Sequence, residues 1–519
     1  MKKIIALMLI AVLLLCGCEK ATTPATTQTD VQNSEQQQSA SVCTHTDGNS
    51  DLVCDSCGES VLVKFEFFAI NDLHGKLVDG ENQPGVDEMT TYIKERRAEN
   101  ENMLLLSAGD MWQGSAESNL TKGNLTTEWM NDIGFDAMVM GNHEYDWGSE
   151  YVSNNEELAQ FPFLGINIYS TATNKRLDYC KASTLIDRGG VQIGIIGAIG
   201  DCYSSIAADK VQDVYFKTDD DLTALVKAES ESLRQQGADF IVYLIHDGYE
   251  QGTNNVKNVS KNDLSFYYDT ALSDGYVDLV FEAHTHQHYI LQDEYGVFHL
   301  QGGGENRRGL SYAEVTINAV TGEVIQIAPS HIEDRSYTAL ASDPIIDNLL
   351  DKYAAQVNIG ERVLGYNARQ RNSGEMQQLV ADLYYDIGME AWGDKYDIVL
   401  GGGFISVRSP YNLAGGEVKY AMIQSLFPFD NQLHLCSIKG RDLKEKFFET
   451  DNDRYFIAYG QYGEDVRKNI DPNGTYYIVV DSYTSSYKYN NLTVVEAYTD
   501  GYYARDMIAD YISTGAFED

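Results

Sequence analysis

The sequence predicts an α/β protein with two large domains, and three observations carry that expectation. Its 519 residues exceed what one hydrophobic core usually supports. From residue 61 onward, short apolar runs alternate with amphipathic stretches such as 85–100, with Met89, Tyr92 and Ile93, and 222–236, with Leu225, Val226 and Leu233; this is the texture of strands alternating with helices. Near 336–362, Ile345, Ile346, Leu349, Leu350 and Tyr353 recur at helical spacing and predict a connecting helix. The first domain is then expected over 61–335 and the second over 363–519.

The N-terminus reads as an export signal over 1–18. Lys2 and Lys3 precede an apolar run at 4–15 that is too short to span a bilayer comfortably. The run ends in Leu15-Cys16-Gly17-Cys18, which resembles a lipoprotein lipobox and predicts cleavage before Cys18 with lipid on its sulfur. An ordinary secreted protein or an N-terminal membrane anchor are the alternatives. Residues 19–42, rich in Thr, Gln, Ser and Ala, lack the large apolar groups of a core and predict a flexible tether. The expected location is the membrane surface facing away from the cytoplasm.

The segment 43–60 carries Cys43-Thr44-His45 and Cys54-Asp55-Ser56-Cys57. Cys43, His45, Cys54 and Cys57 can wrap one tetrahedral zinc. Asp47, Asn49 and Asp51 between them also suit the start of a calcium loop, and a disulfide is a third reading. The remaining cysteines, Cys180, Cys202 and Cys436, are scattered, unlike a disulfide scaffold. A formal net charge of −40 argues against binding a nucleic-acid duplex or an anionic membrane surface. A small anionic ligand would need a local positive centre.

In the first domain five apolar runs end in metal-capable side chains. Run 61–70 leads to Asp72 and His74, 103–106 to Asp110, 137–140 to Asn142 and His143, 240–245 to His246, and 277–281 to His284 and His286. Sites in open α/β sheets form beyond the carboxyl ends of strands. Five such ends side by side would converge Asp72, His74, Asp110, Asn142, His246, His284 and His286. Imidazole with carboxylate suits zinc, manganese or iron better than magnesium or calcium. Asp110, midway in the order, is a candidate to bridge two ions. Any one fragment is weak, because a lone Asp-x-His or a core histidine is commonplace. Their recurrence at matching strand ends is the signal.

Asn71-Asp72-Leu73-His74-Gly75, Gly109-Asp110, Gly141-Asn142-His143-Glu144-Tyr145-Asp146 and His284-Thr285-His286 resemble the motif set of the calcineurin-like metallophosphoesterases, in particular their bacterial 5′-nucleotidase branch. The resemblance implies a four-layer α/β/β/α sandwich followed by a C-terminal α/β substrate-binding domain of the 5′-nucleotidase type. It implies Asp72, His74 and His286 on one divalent ion, Asn142, His246 and His284 on the other, and Asp110 between them. His143 then resembles the catalytic histidine, with Asp146 orienting it; bracing Asn142 is its alternative role. Ala283 stands where the family often has Gly. Two close cations lower the pKa of a shared water and neutralise phosphoryl charge.

In the second domain Leu400-Gly401-Gly402-Gly403-Phe404 resembles the family's glycine-rich segment, and its glycines are expected to let a ligand approach the backbone. Arg408 is the nearest following arginine, a candidate carboxylate or phosphate contact. Phe427-Pro428-Phe429-Asp430-Asn431 resembles the family's Pro-Phe-Gly-Asn segment, which makes Phe429 a stacking candidate and Asn431 a base-edge candidate. The family's Gly-Gly-Asp-Gly turn is missing; Tyr483 is the candidate second aromatic. The arginine expected before Glu375 is replaced or shifted to Arg371.

The expected activity is hydrolysis of a phosphate ester, most simply a 5′-nucleotide, outside the cell. Cleavage of a phosphodiester or pyrophosphate, as in cyclic nucleotides or nucleotide sugars, is an alternative enzyme reading. A surface protein that captures nucleotides or glycans without turnover is an alternative of another class.

Overall fold

The computed structural model describes residues 45–80, 84–249, 257–259 (backbone only), 275–448, 455–460, 463, 466–487, 491–499 and 501–518. The signal, Cys18, the tether and Cys43 lie outside the described residues. Among the described residues no helix is long and apolar enough to cross a membrane.

Two sheets stack face to face in the first half of the chain. One runs Val324–Ile332, Leu310–Asn318, Leu62–Ile70, Met103–Ser107, Ala137–Val139 and Phe163–Leu164. The other runs Lys257–Val259, His288–Asp293, Phe298–Gly302, Leu279–Phe281, Phe240–His246, Val191–Ile199 and Ser183–Arg188. Strand periodicity divides the side chains between layers. Phe65, Phe67, Leu104, Leu106 and Val139 meet Ile193, Ile195, Phe240, Val242 and Phe281 between the sheets. The alternate residues Phe68, Ile70, Leu105 and Met138 pack under helices Asp87–Glu99 and Asn124–Ile133. On the far side Ile241, Tyr243 and Ile245 meet Leu222, Val226 and Leu233 of helix Asp219–Gln235. Three interlayer cores thus define four layers, helix, sheet, sheet, helix. Each fully buried Phe or Leu contributes roughly 1.5–3 kcal/mol.

The central strands of each sheet run parallel, Leu62–Ile70 with Met103–Ser107 and Ala137–Val139, and Phe240–His246 with Leu279–Phe281. The five donor-bearing strand ends therefore do not lie side by side in one sheet. Three belong to one sheet and two to the other, because alternating burial splits the runs between two stacked layers.

The connection at 336–362 is not one helix. Helices Ile345–Lys352 and Ala354–Val357 are separated at Tyr353, and Ile346 and Leu349 pack into the first sheet's helical layer. The C-terminal α/β part has a five-stranded sheet, Tyr455–Tyr459, Ile398–Phe404, Thr475–Asp481, Leu433–Lys439 and Thr493–Ala497. One face packs on helices Ser373–Trp392 and Ala504–Ser513. The other holds a separate core around Leu400, Cys436, Ile478 and Phe447. Asn372 caps the long helix through a reciprocal pair with Glu375. The two halves touch through Lys122 Nζ and Asp430 Oδ2 at 3.0 Å, through the Arg307 guanidinium donating to Ser409 Oγ at 2.6 Å, and through Tyr483 OH donating to the Ser204 carbonyl at 3.3 Å.

Candidate metal centre and adjoining cleft

The loops after the five strands knit into one cluster. Ala108 N donates to Ile70 O, Asp72 N to Gly109 O, His74 N to Asp110 O and Gly75 N to Met111 O, at 2.8–3.0 Å. His284 N in turn donates to Asp72 Oδ1 at 3.0 Å, and Asp72, His74, Asp110, His284 and His286 sit at φ of +49°, +52°, +55°, +68° and +53°. Non-glycine residues rarely adopt that region, at a cost of order 1–3 kcal/mol each. Five of the seven predicted donors share it, a concentration that marks a built site rather than a fold requirement.

All seven predicted donors meet there. His74 Nε2 lies 3.0 Å from His286 Nε2, and His286 Nε2 lies 3.6 Å from Asp72 Oδ1. His246 Nε2 lies 3.1 Å from Asp110 Oδ2 and 3.2 Å from Asn142 Oδ1. The His246 and His284 rings are 5.3 Å apart. Donor atoms of Asp72, His74 and His286 form one tight group, and those of Asp72, Asp110 and His246 form another. His74 Nδ1 donates to Gln113 O and His246 Nδ1 to Ala108 O, each at 2.8 Å. A carbonyl only accepts, so each ring, when neutral, carries its lone pair on Nε2, facing the cluster; burial disfavours the charge on His246, but Asp110 raises it to about 10, so a bound cation there would displace a proton.

The donor set fits divalent cations. Burial, followed by nearby positive groups, lowers His74 well below the usual histidine range, His284 to about 4 and His286 to about 3; all three are neutral at pH 7, as ligation requires. Burial raises Asp72 to about 7, more than the opposing charge of His246 lowers it, so a cation beside it would favour its carboxylate form. Burial opposes the charge of Asp110 too, but His246 and His143 outweigh it and hold it well below the usual range. The space is kept by glycine. A Cβ at Gly109 would sit 2.7 Å from His246 Nδ1, and one at Gly141 would collide with Asp110 Oδ1.

His143 and Asp146 fall beside this cluster. His143 N donates to Asp110 Oδ1 at 2.8 Å, and its Nδ1 lies 2.6 Å from Asp146 Oδ2. Burial disfavours the imidazolium, yet Asp146 and Asp110 raise His143 above its ordinary value. Its Nε2 is left for a ligand.

A cavity of about 260 Å³ opens from Asp110, Asn142, His143, His284 and His286 toward the C-terminal half. Arg408, Phe429, Asn431 and Tyr483 all line it. Phe429 faces the His143 ring at 5.9 Å, with the Arg408 guanidinium 5.9 Å from its centroid. Asp481 caps the helix Ser482–Ser486 that presents Tyr483. Arg371 is elsewhere, over the Phe517 ring at 3.9 Å.

The glycine-rich segment departs from expectation. Gly401, Gly402 and Gly403 lie inside strand Ile398–Phe404, where added Cβ atoms would strike the Tyr385 backbone, the Phe456 carbonyl and Thr484. They make room for protein rather than ligand. Phe404, Ile405 and Ser406, just past them, line the cavity instead, and Phe404 packs on Tyr483 at 5.6 Å.

Sequence reading missed Phe404, Lys210, Glu144 and Gln301. Phe404 had a signal, an aromatic directly after the glycines. Glu144 receives the N–H groups of Gly141, Asp110 and Met111 at 2.7–2.9 Å and so fixes both donor loops. Fully buried Gln301 donates to Ala283 O and receives Thr285 Oγ1 and Gln287 N, gripping the turn that carries His284 and His286. Neither Lys210, on the cavity wall, nor Gln301 sits in a recognisable motif.

Stacked sheets with donor loops at one edge form a frame that can hold divalent cations. Residues 65–288 match the calcineurin-like phosphoesterase family, and the chain carries a domain of that family, whose members hydrolyse phosphoester bonds. Among relatives, it is 27% identical over 509 residues to Protein UshA of Yersinia enterocolitica, covering 86% of this chain and 87% of that protein. It is 28% identical over 421 residues to Endonuclease YhcR of Bacillus subtilis, covering 74% of this chain; the match spans only 32% of that longer protein. The fold is that of a 5′-nucleotidase precursor from Thermus thermophilus, with a TM-score of 0.65 at 17% identity over 87% of this chain and 96% of that one.

Proposed function

We propose that this protein hydrolyses 5′-nucleotides to nucleoside and phosphate. The observation that carries the reading is one cavity bounded by the donor cluster and His143 at one end and by Phe429, Tyr483 and Arg408 at the other. Asp72, His74 and His286 would hold one divalent ion, zinc, manganese or iron, and Asn142, His246 and His284 a second, with Asp110 shared. Such cations, when bound, supply charge neutralisation of the phosphoryl group and an acidified water. His143, held through Nδ1 by Asp146, presents Nε2 to a phosphoryl oxygen or the departing alkoxide. Arg408 adds fixed positive charge beside the same space. Phe429 and Tyr483 offer flat faces to a base, and Asn431 a polar edge.

The phosphoesterase match favours turnover over mere capture of a ligand. Phosphate release from a panel of 5′-nucleotides, 3′-nucleotides, cyclic nucleotides and nucleotide sugars tests the substrate. Free phosphate from 5′-monophosphates is expected. No phosphate from any nucleotide would overturn the reading, and nucleoside monophosphate released from nucleotide sugars alone would replace it with pyrophosphate cleavage. We also infer export, with residues 1–18 as signal and Cys18 as lipid anchor ahead of a flexible 19–42 tether. Mass spectrometry of the mature N-terminus should find acylated Cys18; an unmodified N-terminus elsewhere would refute the anchor. The domain limits follow the same reading, with 61–335 catalytic and 363–519 recognising the leaving group.

A further inference from the structure

We propose that the hairpin at residues 45–60 is a zinc knuckle held by His45, Cys54 and Cys57, separate from the phosphoesterase centre. The hairpin has almost nothing else to hold it. Cys54, 2% exposed, is its one buried residue, while Leu52 and Val53 are 41% and 40% exposed. Segments this small without an apolar core need a staple such as a metal or disulfide.

Its backbone brings three soft donors to one point. Val53 pairs with Ser60, Cys54 N donates to Glu59 O at 2.7 Å, and Gly58 N closes the turn onto Cys54 O at 2.9 Å. Gly58 sits at φ +76°, which lets the chain reverse directly after Cys57. Asp55 N donates to Thr46 O at 2.7 Å and ties the His45 arm to that turn. Ser56 N donates to Cys54 Sγ at 3.4 Å, a contact that favours thiolate.

The donor atoms of His45, Cys54 and Cys57 all lie within 4.8 Å of one another. Zinc bonds of about 2.3 Å to sulfur and about 2.0 Å to nitrogen, at a tetrahedral angle, place S and N about 3.5 Å apart. Cys57 Sγ and His45 Nδ1 are 3.6 Å apart. Two thiolates with an imidazole select zinc over calcium or magnesium. The oxygens that could favour calcium are already engaged, since Asp47 receives the N–H groups of Asp51 and Leu52, and Asp55 that of Gly48.

The test uses the full chain. Elemental analysis of zinc-loaded wild type against Cys57→Ser should show a loss of about one zinc per chain. Cobalt-loaded wild type should show thiolate-to-cobalt charge-transfer absorption that Cys57→Ser abolishes and Cys202→Ser keeps. The Cys202 control matters because its sulfur lies near His246 and His284 of the other cluster. Equal zinc content in wild type and Cys57→Ser, a thiolate band that follows Cys202, or a Cys54–Cys57 disulfide in zinc-loaded protein would each overturn the proposal. Because the cobalt band reads thiolate ligation, its outcome is independent of whether the protein hydrolyses nucleotides.

Discussion

The two ends of the cleft are built by different means. At the phosphoesterase end, backbone does the positioning. Five donors sit in left-handed conformations, two loops are zipped by main-chain hydrogen bonds, and Glu144 and Gln301 grip the turns. At the other end side chains come from several separate segments, among them Phe404 to Arg408, Phe429 to Asn431 and Tyr483, with one capped short helix and aromatic contacts to place them. The difference teaches that the candidate metal donors are placed by main-chain geometry, whereas the facing aromatic wall is placed by side-chain packing. Substitutions at the first end should therefore act on turnover, and those at the second on binding.

The sharpest break of that contrast is Asp110→Ala. It removes the carboxylate proposed to lie between the two ions and should lower kcat by roughly 10³-fold or more, measured as phosphate release. His143→Ala should come next, lowering kcat by about 10²-fold with little change in KM, because its Nε2 is needed as bonds change rather than on binding. Steady-state kinetics that moved KM instead would put His143 in binding.

Phe429→Ala should do the reverse. Base stacking is worth about 1–3 kcal/mol, so KM should rise about tenfold for nucleotides and stay unchanged for ribose 5-phosphate, which has no base. An equal change for both substrates would place Phe429 in the packing of the cleft alone.

The smallest effect concerns stability. Burial disfavours the charge on His299, but hydrogen bonds to Asp293 and Glu282, with Nδ1 2.7 Å from Glu282, raise it to about 9. A folded value above the ordinary 6.5 stabilises the protein fully below that pH, and the contribution is lost as pH rises through about 9. Tm should fall by several degrees between neutral and alkaline pH, and His299→Gln should flatten the change. The C-terminal end offers no comparable buried imidazolium among the described residues, so a curve unchanged by the substitution would erase this part of the contrast.

Legibility in the sequence followed the same division. The donors could be read because each is placed by a local rule, an apolar strand followed by a polar turn, and the rule recurs. Their division between two sheets was not legible, since runs such as 65–70 and 240–245 are buried on both faces and do not say which layer they join. Gly401 to Gly403 were misread for a related reason. A glycine run marks close approach but not the approaching group, and here it is Tyr385, Phe456 and Thr484. Gln301 was invisible because its role depends on neighbours from other loops, whereas Phe429 and Asn431, which line the cavity, stand in a short segment with a motif resemblance.

The most direct test of the account is phosphate release from a 5′-nucleotide by the same preparation before chelation, after chelation and after reloading. Protein shown by elemental analysis to be free of divalent ions should release no phosphate and should recover on addition of manganese or zinc. Ion-free protein that turned over at the full rate would contradict the claim that the strand-end donors serve as a metal centre.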